Sequence, residues 1–157
     1  MPETNGGTIV LDDEERELVQ LELGAVLPAL TGERRQRYEQ LRDAVTSGSI
    51  PPQSVQLLES LLELALQTAR ARQLYRAEGE RILTHLFRRT PRGRELTELL
   101  DQVNRALVAL AGRTLNRAHV GMRTVGHFTL TIETEAATIT LAVRPDSVNV
   151  ESVAVGG

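Results

Sequence analysis

The hydrophobic period of the chain changes once, near Gly112, and that change restricts the fold more than any other feature. Before it, leucines and alanines recur at alternating spacings of three and four, which marks one face of a helix. After it, Val, Ile and Thr alternate at every second position, which marks a strand with one apolar side. His127–Glu133 and Thr138–Val143 alternate without interruption, so Phe128, Leu130, Ile132, Ile139, Leu141 and Val143 share one side, with threonines and Glu133 on the other. Val120–Val125 precedes them across a turn at Gly126, and residues 148–155 follow the Arg144–Ser147 turn. The sequence thus predicts a four-stranded antiparallel meander, with a bulge or an early strand end where the parity changes between Val150 and Val153.

The first 112 residues read as five helices. Asp12 followed by Glu15 has the spacing of a capping box, and Thr31-Gly32 stops the helix it opens. A second helix over 33–46 carries the narrow stripe Tyr38, Leu41 and Val45 and is expected to lie on the surface. The third, over 52–75, carries two apolar seams, Leu57, Leu61, Leu64 and Leu58, Leu62, each extended by alanines; it is either the central core helix or half of an intermolecular bundle. A fourth spans 77–89, and Thr90-Pro91 opens a fifth with a capping Thr and Pro at the first helical position. The fifth ends near Gly112, and its stripe of Leu96, Leu99, Leu100, Val103, Leu107 and Leu110 is the surface placed to cover the meander. The expected class is α+β: a five-helix N-terminal region followed by a four-stranded antiparallel β-meander packed on the last helix. Residues 1–10 are expected to form a flexible N-terminal arm. Residues 11–157 are expected to form a single domain, with a helical lobe over 11–112 and the meander over 113–157.

Chemistry is scarce. With no cysteine there is no disulfide, thiolate nucleophile or cysteine-ligated zinc, and a reducing, cytoplasmic setting is expected. Met1–Val10 lacks the basic start and apolar run of a secretory signal, and no window approaches the roughly 18 apolar residues of a membrane span. All basic residues apart from histidine are arginine, so there is no Schiff-base amine, and the Gly121–Gly126 spacing has no P-loop lysine to complete it. The serines occupy no nucleophile elbow. His119 and His127 flank the first hairpin as a candidate metal pair, but sequence spacing fixes no third ligand beside them, and surface histidines are expected. No catalytic residue, cofactor or metal is expected, and the protein is read as a non-enzyme.

Charge is the remaining signal. The net charge is -3, yet residues 1–30 carry a net of -6 and residues 70–94 a net of +6. Arg81, His85, Arg88 and Arg89 fall on one helical face with Arg92 and Arg94 in the adjoining turn, an arrangement that suits a phosphate backbone. Only four aromatic residues, Tyr38, Tyr75, Phe87 and Phe128, are available to stack on bases. The leading expectation is a non-catalytic interaction or assembly protein, an adaptor or regulatory subunit with a protein partner that includes itself. Its expected interface is Leu57, Leu58, Leu61, Leu62 and Leu64 or the threonine face of the sheet. The alternative is a nucleic-acid-associated regulator that uses the arginine-rich stretch.

Overall fold

The computed structural model describes residues 7–156, which form five α-helices followed by a four-stranded antiparallel sheet, with a two-stranded ribbon near the start. Residues 1–6 of the expected arm lie outside the described residues. The rest of that arm is not loose. Ile9–Val10 is strand β1, paired antiparallel with β2 (Ser49–Ile50), Ile9 opposite Ile50 and Val10 opposite Ser49. The sequence predicts only a connection over 47–52. Two residues per strand are too few to show alternation, and the ribbon forms because Ile9 and Ile50 are both buried in the helical core.

Helix α1 (Asp13–Val26) opens on the expected capping box: Glu15 N donates to Asp12 Oδ1 at 2.8 Å, and Asp12 N donates to Glu15 Oε2 at 3.1 Å. Helix α2 (Gly32–Ser47) buries Tyr38, Leu41 and Val45, the stripe read from its spacing, and ends at Gly48 in the left-handed region. The expected third helix over 52–75 is broken. Helix α3 is Pro52–Gln67, and α4 (Arg70–Arg88) starts afresh after a corner at Thr68 and Ala69. Ala69 has φ 55° and ψ 11°, a left-handed conformation that costs a non-glycine residue about 1–2 kcal/mol. A second irregularity sits inside α4: Arg76 has φ 60° and ψ -167°, a region essentially reserved for glycine and worth about 1–3 kcal/mol of strain. The expected break before Ala77 is thus present as a kink. At that kink the chain approaches itself so closely that a Cβ on Gly79 would stand 2.2 Å from Tyr75 Cβ.

The chain divides into two compact units between Arg94 and Glu95, not at Gly112. The first holds a large core from α1 to α4, in which Val19, Leu23, Leu41, Val45, Leu58, Leu62, Leu83 and Leu86 are fully enclosed. Helix α5 (Pro91–Val108) begins there, with Thr90 Oγ1 accepting from Gly93 N at 3.1 Å and Glu59 accepting from Arg92 N at 2.8 Å. The helix then runs into the second unit. That unit contains β3 (Leu115–Thr124), β4 (His127–Thr134), β5 (Ala137–Arg144) and β6 (Ser147–Val155), hydrogen-bonded in sequence order. The register slips once between β5 and β6, where Leu141 faces Val150 and Thr140 faces Ser152, so Glu151 is the bulged residue that the parity change foretold. Val103 of α5 meets Ile139 and Leu141 of β5, flanked by Leu107, Leu110, Leu130, Val148 and Val150. The last helix packs on the meander because its stripe is the apolar surface that the short connection can fold back.

Two glycine substitutions test this packing in opposite directions. A Cβ on Gly93 would fall 1.8 Å from the Phe87 carbonyl oxygen, so Gly93→Ala should lose about 1–3 kcal/mol in denaturant unfolding. Gly24 lies exposed in α1 with nothing within 4 Å of that position, and Gly24→Ala should gain about 0.5–1 kcal/mol.

Candidate functional site

The second unit leaves an apolar surface half covered. Neighbouring strands lie about 4.8 Å apart, so four of them present a face roughly 19 Å wide, whereas a helix with its side chains is about 10 Å across. The register places Ala118, Val120 and Met122 of β3 on the same side as Phe128 and Leu130 of β4 and Ile139 and Leu141 of β5. Helix α5 covers the β5 and β6 side. Val120 and Met122 stay 63% and 67% exposed and Phe128 39% exposed, although they belong to the same apolar face as the fully buried Ile139. Helix α5 has a bare flank of its own: Leu100, Asn104 and Val108 recur every four residues, and Leu100 and Val108 are exposed. Strand β3 and its approach carry Arg113, Arg117 and Arg123 and no acid; Arg117 stands opposite Glu133, on the other side of the sheet from Val120 and Met122, and Arg123 bridges to Glu151 on the opposite edge strand at 2.5 Å, while Glu98 and Asp101 of α5 are exposed.

The leucines expected as an interface are placed differently. Leu58, Leu61 and Leu62 are core residues of the first unit, held between α3 and its neighbours, and Leu57 packs partly against them. Only Leu64 of that set is exposed. The breadth of the apolar girdle reflects a helix surrounded by α1, α2 and α4 of its own chain, which sequence alone cannot distinguish from a helix awaiting a partner.

The basic stretch is also divided. Arg81, His85 and Arg88 line one shallow groove on α4 together with Ala77, Glu80 and Thr84, as their spacing requires. Arg81 pairs with Glu78, which raises its pKa by hydrogen bonding and charge and lowers that of Glu78. Arg89 turns inward: its Nη2 donates to Glu15 Oε2 at 2.7 Å and to the Val10 carbonyl at 3.1 Å. Arg92 sits 3.8 Å from Glu63. Arg88 and Arg94 form no ion pair within the described residues. His119 faces Thr131 and His127 faces Thr124, about four strand residues or 13 Å apart along the hairpin, so the two imidazoles do not meet as a metal pair. Among the described residues there is no cluster of three or more metal-ligating side chains, and no helix is long and apolar enough to cross a membrane.

Sequence reading missed two buried carboxylates, Glu15 and Glu22, whose side chains are each 2% exposed. Glu15 serves the cap and takes Arg89. Glu22 accepts from Arg70 Nε at 3.1 and 3.2 Å and from the Tyr75 hydroxyl at 2.5 Å. Both acids fall on the same side of α1 as Val19 and Leu23, and that was the available signal: two acids seven residues apart within an apolar stripe require cations from elsewhere in the chain. Burial, reinforced by the hydrogen bond to Glu22 and its charge, pushes the Tyr75 hydroxyl up to about 12, with Arg70 opposing. Comparison with protein-family models, with curated proteins and with solved structures finds no match to this chain.

Two outcomes follow from these partners. Arg89→Ala strands Glu15 without its cation and should cost about 3–5 kcal/mol, whereas Arg88→Ala should stay within about 0.5 kcal/mol of the parent, both read by chemical denaturation. Because the folded-state pKa of Tyr75 lies above its ordinary 10.0, the unfolded chain loses that proton first. Stability contributed by the neutral hydroxyl is complete below pH 10 and declines as pH rises from 10 towards 12. Tyr75→Phe should flatten that decline, read by denaturant unfolding at a series of pH values between 9 and 12.

Proposed function

We propose that the protein is a non-catalytic, self-associating interaction protein of the cytoplasm, an adaptor or assembly subunit, and that its contact surface is the bare half of the sheet. One observation carries this reading: a four-stranded apolar face covered by one helix, with Val120, Met122 and Phe128 left in solvent. The occupant proposed is the α5 flank of a second copy. Its exposed Leu100 and Val108 supply the apolar stripe that would meet Val120 and Met122. Because both surfaces belong to one chain, a two-fold axis makes the contact twice, giving a closed dimer. The arginines of β3 also guard its free backbone edge against open-ended strand addition.

Sedimentation velocity over a range of concentrations tests the reading. The parent chain should form a dimer, and Val120→Glu combined with Met122→Glu should weaken it at least about thirtyfold, the worth of a buried anchor of about 2 kcal/mol, without loss of folding. A parent chain that stays monomeric at every concentration overturns self-association. Salt-dependent binding of labelled DNA or RNA that is lost in Arg88→Glu with Arg94→Glu would move the function to the arginine ridge instead.

A further inference from the structure

The corner between α3 and α4 is unusual for what it is made of. From Gln53 to Glu78 the sequence contains neither glycine nor proline, and its two leucine and alanine seams continue in phase through Thr68, Ala69 and Ala71. Such a segment favours one uninterrupted helix. The chain nevertheless turns at Thr68 and Ala69, with Ala69, the residue type most favourable to a helix, held in the left-handed region at φ 55°. Seven residues later Arg76 is held at φ 60°. Contacts distant in sequence hold the bent form. Glu22 of α1 grips both ends of the segment between these two positions, through Arg70 and through Tyr75; Ala71 is fully buried between them; and Arg89 at the far end of α4 is fixed by Glu15 of the same helix α1. Local preference and long-range contact thus oppose each other at one short corner.

We infer that this corner is an exchange hinge: Thr68 and Ala69 can enter the helix, α3 then runs straight into Arg70, and α4 leaves its own α1 to pack on the α1 of a second copy. Every contact that α4 makes in the single chain is remade in the exchanged pair, Arg70 and Tyr75 with the other copy's Glu22 and Arg89 with its Glu15. The closed and exchanged forms therefore share their packing and differ mainly at the hinge, where straightening relieves the left-handed Ala69 once per chain. The occupant of the vacated groove is a second copy of this chain because that groove is shaped, and charged with two buried carboxylates, for α4 itself. This exchange is independent of the sheet contact proposed above.

The test uses the full chain carrying Val120→Glu and Met122→Glu, so that the sheet contact is silent, refolded from denaturant at high protein concentration and sized by light scattering. A dimer that persists on dilution is expected, since reverting requires α4 to detach. Ala69→Gly relieves the strain of the bend and weakens the straight helix, so it should lower the dimer fraction at least about tenfold. A second arm mixes two chains, one with Glu22→Arg and one with Arg70→Glu, each of which sets like charges against each other when folded alone. An exchanged heterodimer restores an acid–arginine pair in both halves and should form on co-refolding. Either the absence of any dimer on refolding, or a dimer fraction that Ala69→Gly leaves unchanged, overturns the hinge. Should the charge-reversed chains fail to fold even when mixed, the Ala69→Gly comparison alone decides.

Discussion

Glu15 and Glu22 lie two turns apart on one side of α1, about 10.5 Å along its axis, and each takes an arginine from an opposite end of α4. Arg70 and Arg89 are nineteen residues apart, a span of roughly 28 Å in a straight helix. Two buried acids 10.5 Å apart cannot comfortably hold both ends of such a rod, so the helix has to shorten. The kink at Arg76, which lies between the two arginines, is where it does so. The close approach of Gly79 to Tyr75 and the coverage of the first core follow from that geometry. The two ion pairs thereby bear on the backbone at Arg76, a position that neither of them touches. Removing one partner of such a pair leaves a carboxylate in a core of leucines, which is the more damaging half of the change.

The second unit is governed by width instead of charge. A meander whose strands pair only with their sequence neighbours forms a sheet as wide as its strand count, and a single helix cannot match four strands. Helix α5 lies over β5 and β6, where its Val103 meets Ile139 and Leu141, and so β3 is left with both of its faces in solvent. The proposed contact between copies supplies the missing cover with the same kind of surface, a helix flank, that the chain already uses.

Local features were legible and distant ones were not. The Asp12 and Glu15 cap, the Thr90-Pro91 helix start, the change to strands after Gly112 and the bulge at Glu151 each depend on residues within a few positions of one another, and sequence spacing states them. The corner at Thr68 and Ala69 depends on Glu22, nearly fifty positions away, and every nearby residue argues for a continuous helix. The same limit separates the candidate arginines: Arg88 and Arg89 are adjacent in sequence, yet one faces solvent and the other closes on Glu15. Leu58, Leu61 and Leu62 read as a surface in need of a partner because a girdle of leucine says that it will be covered but not by which chain. The bare face of β3 was hidden for a related reason, since alternation fixes which side chains share a side but not how many strands one helix spans.

The ladder order of the sheet bears on how the chain acquires its structure. Each pairing in the second unit joins consecutive strands through a short turn, so closing it requires only small loops and little loss of chain entropy. The first unit is different, because Arg89 must find Glu15 across 74 positions and Arg70 must find Glu22 across 48. Low contact order favours early formation of the meander, and high contact order delays the helical core until α4 has been made and bent. On a chain synthesised from its N-terminus, α1 therefore carries two unpaired carboxylates until Arg70 and Arg89 are made, 48 and 74 positions after the acids they pair with, and the charge keeps that segment hydrated meanwhile.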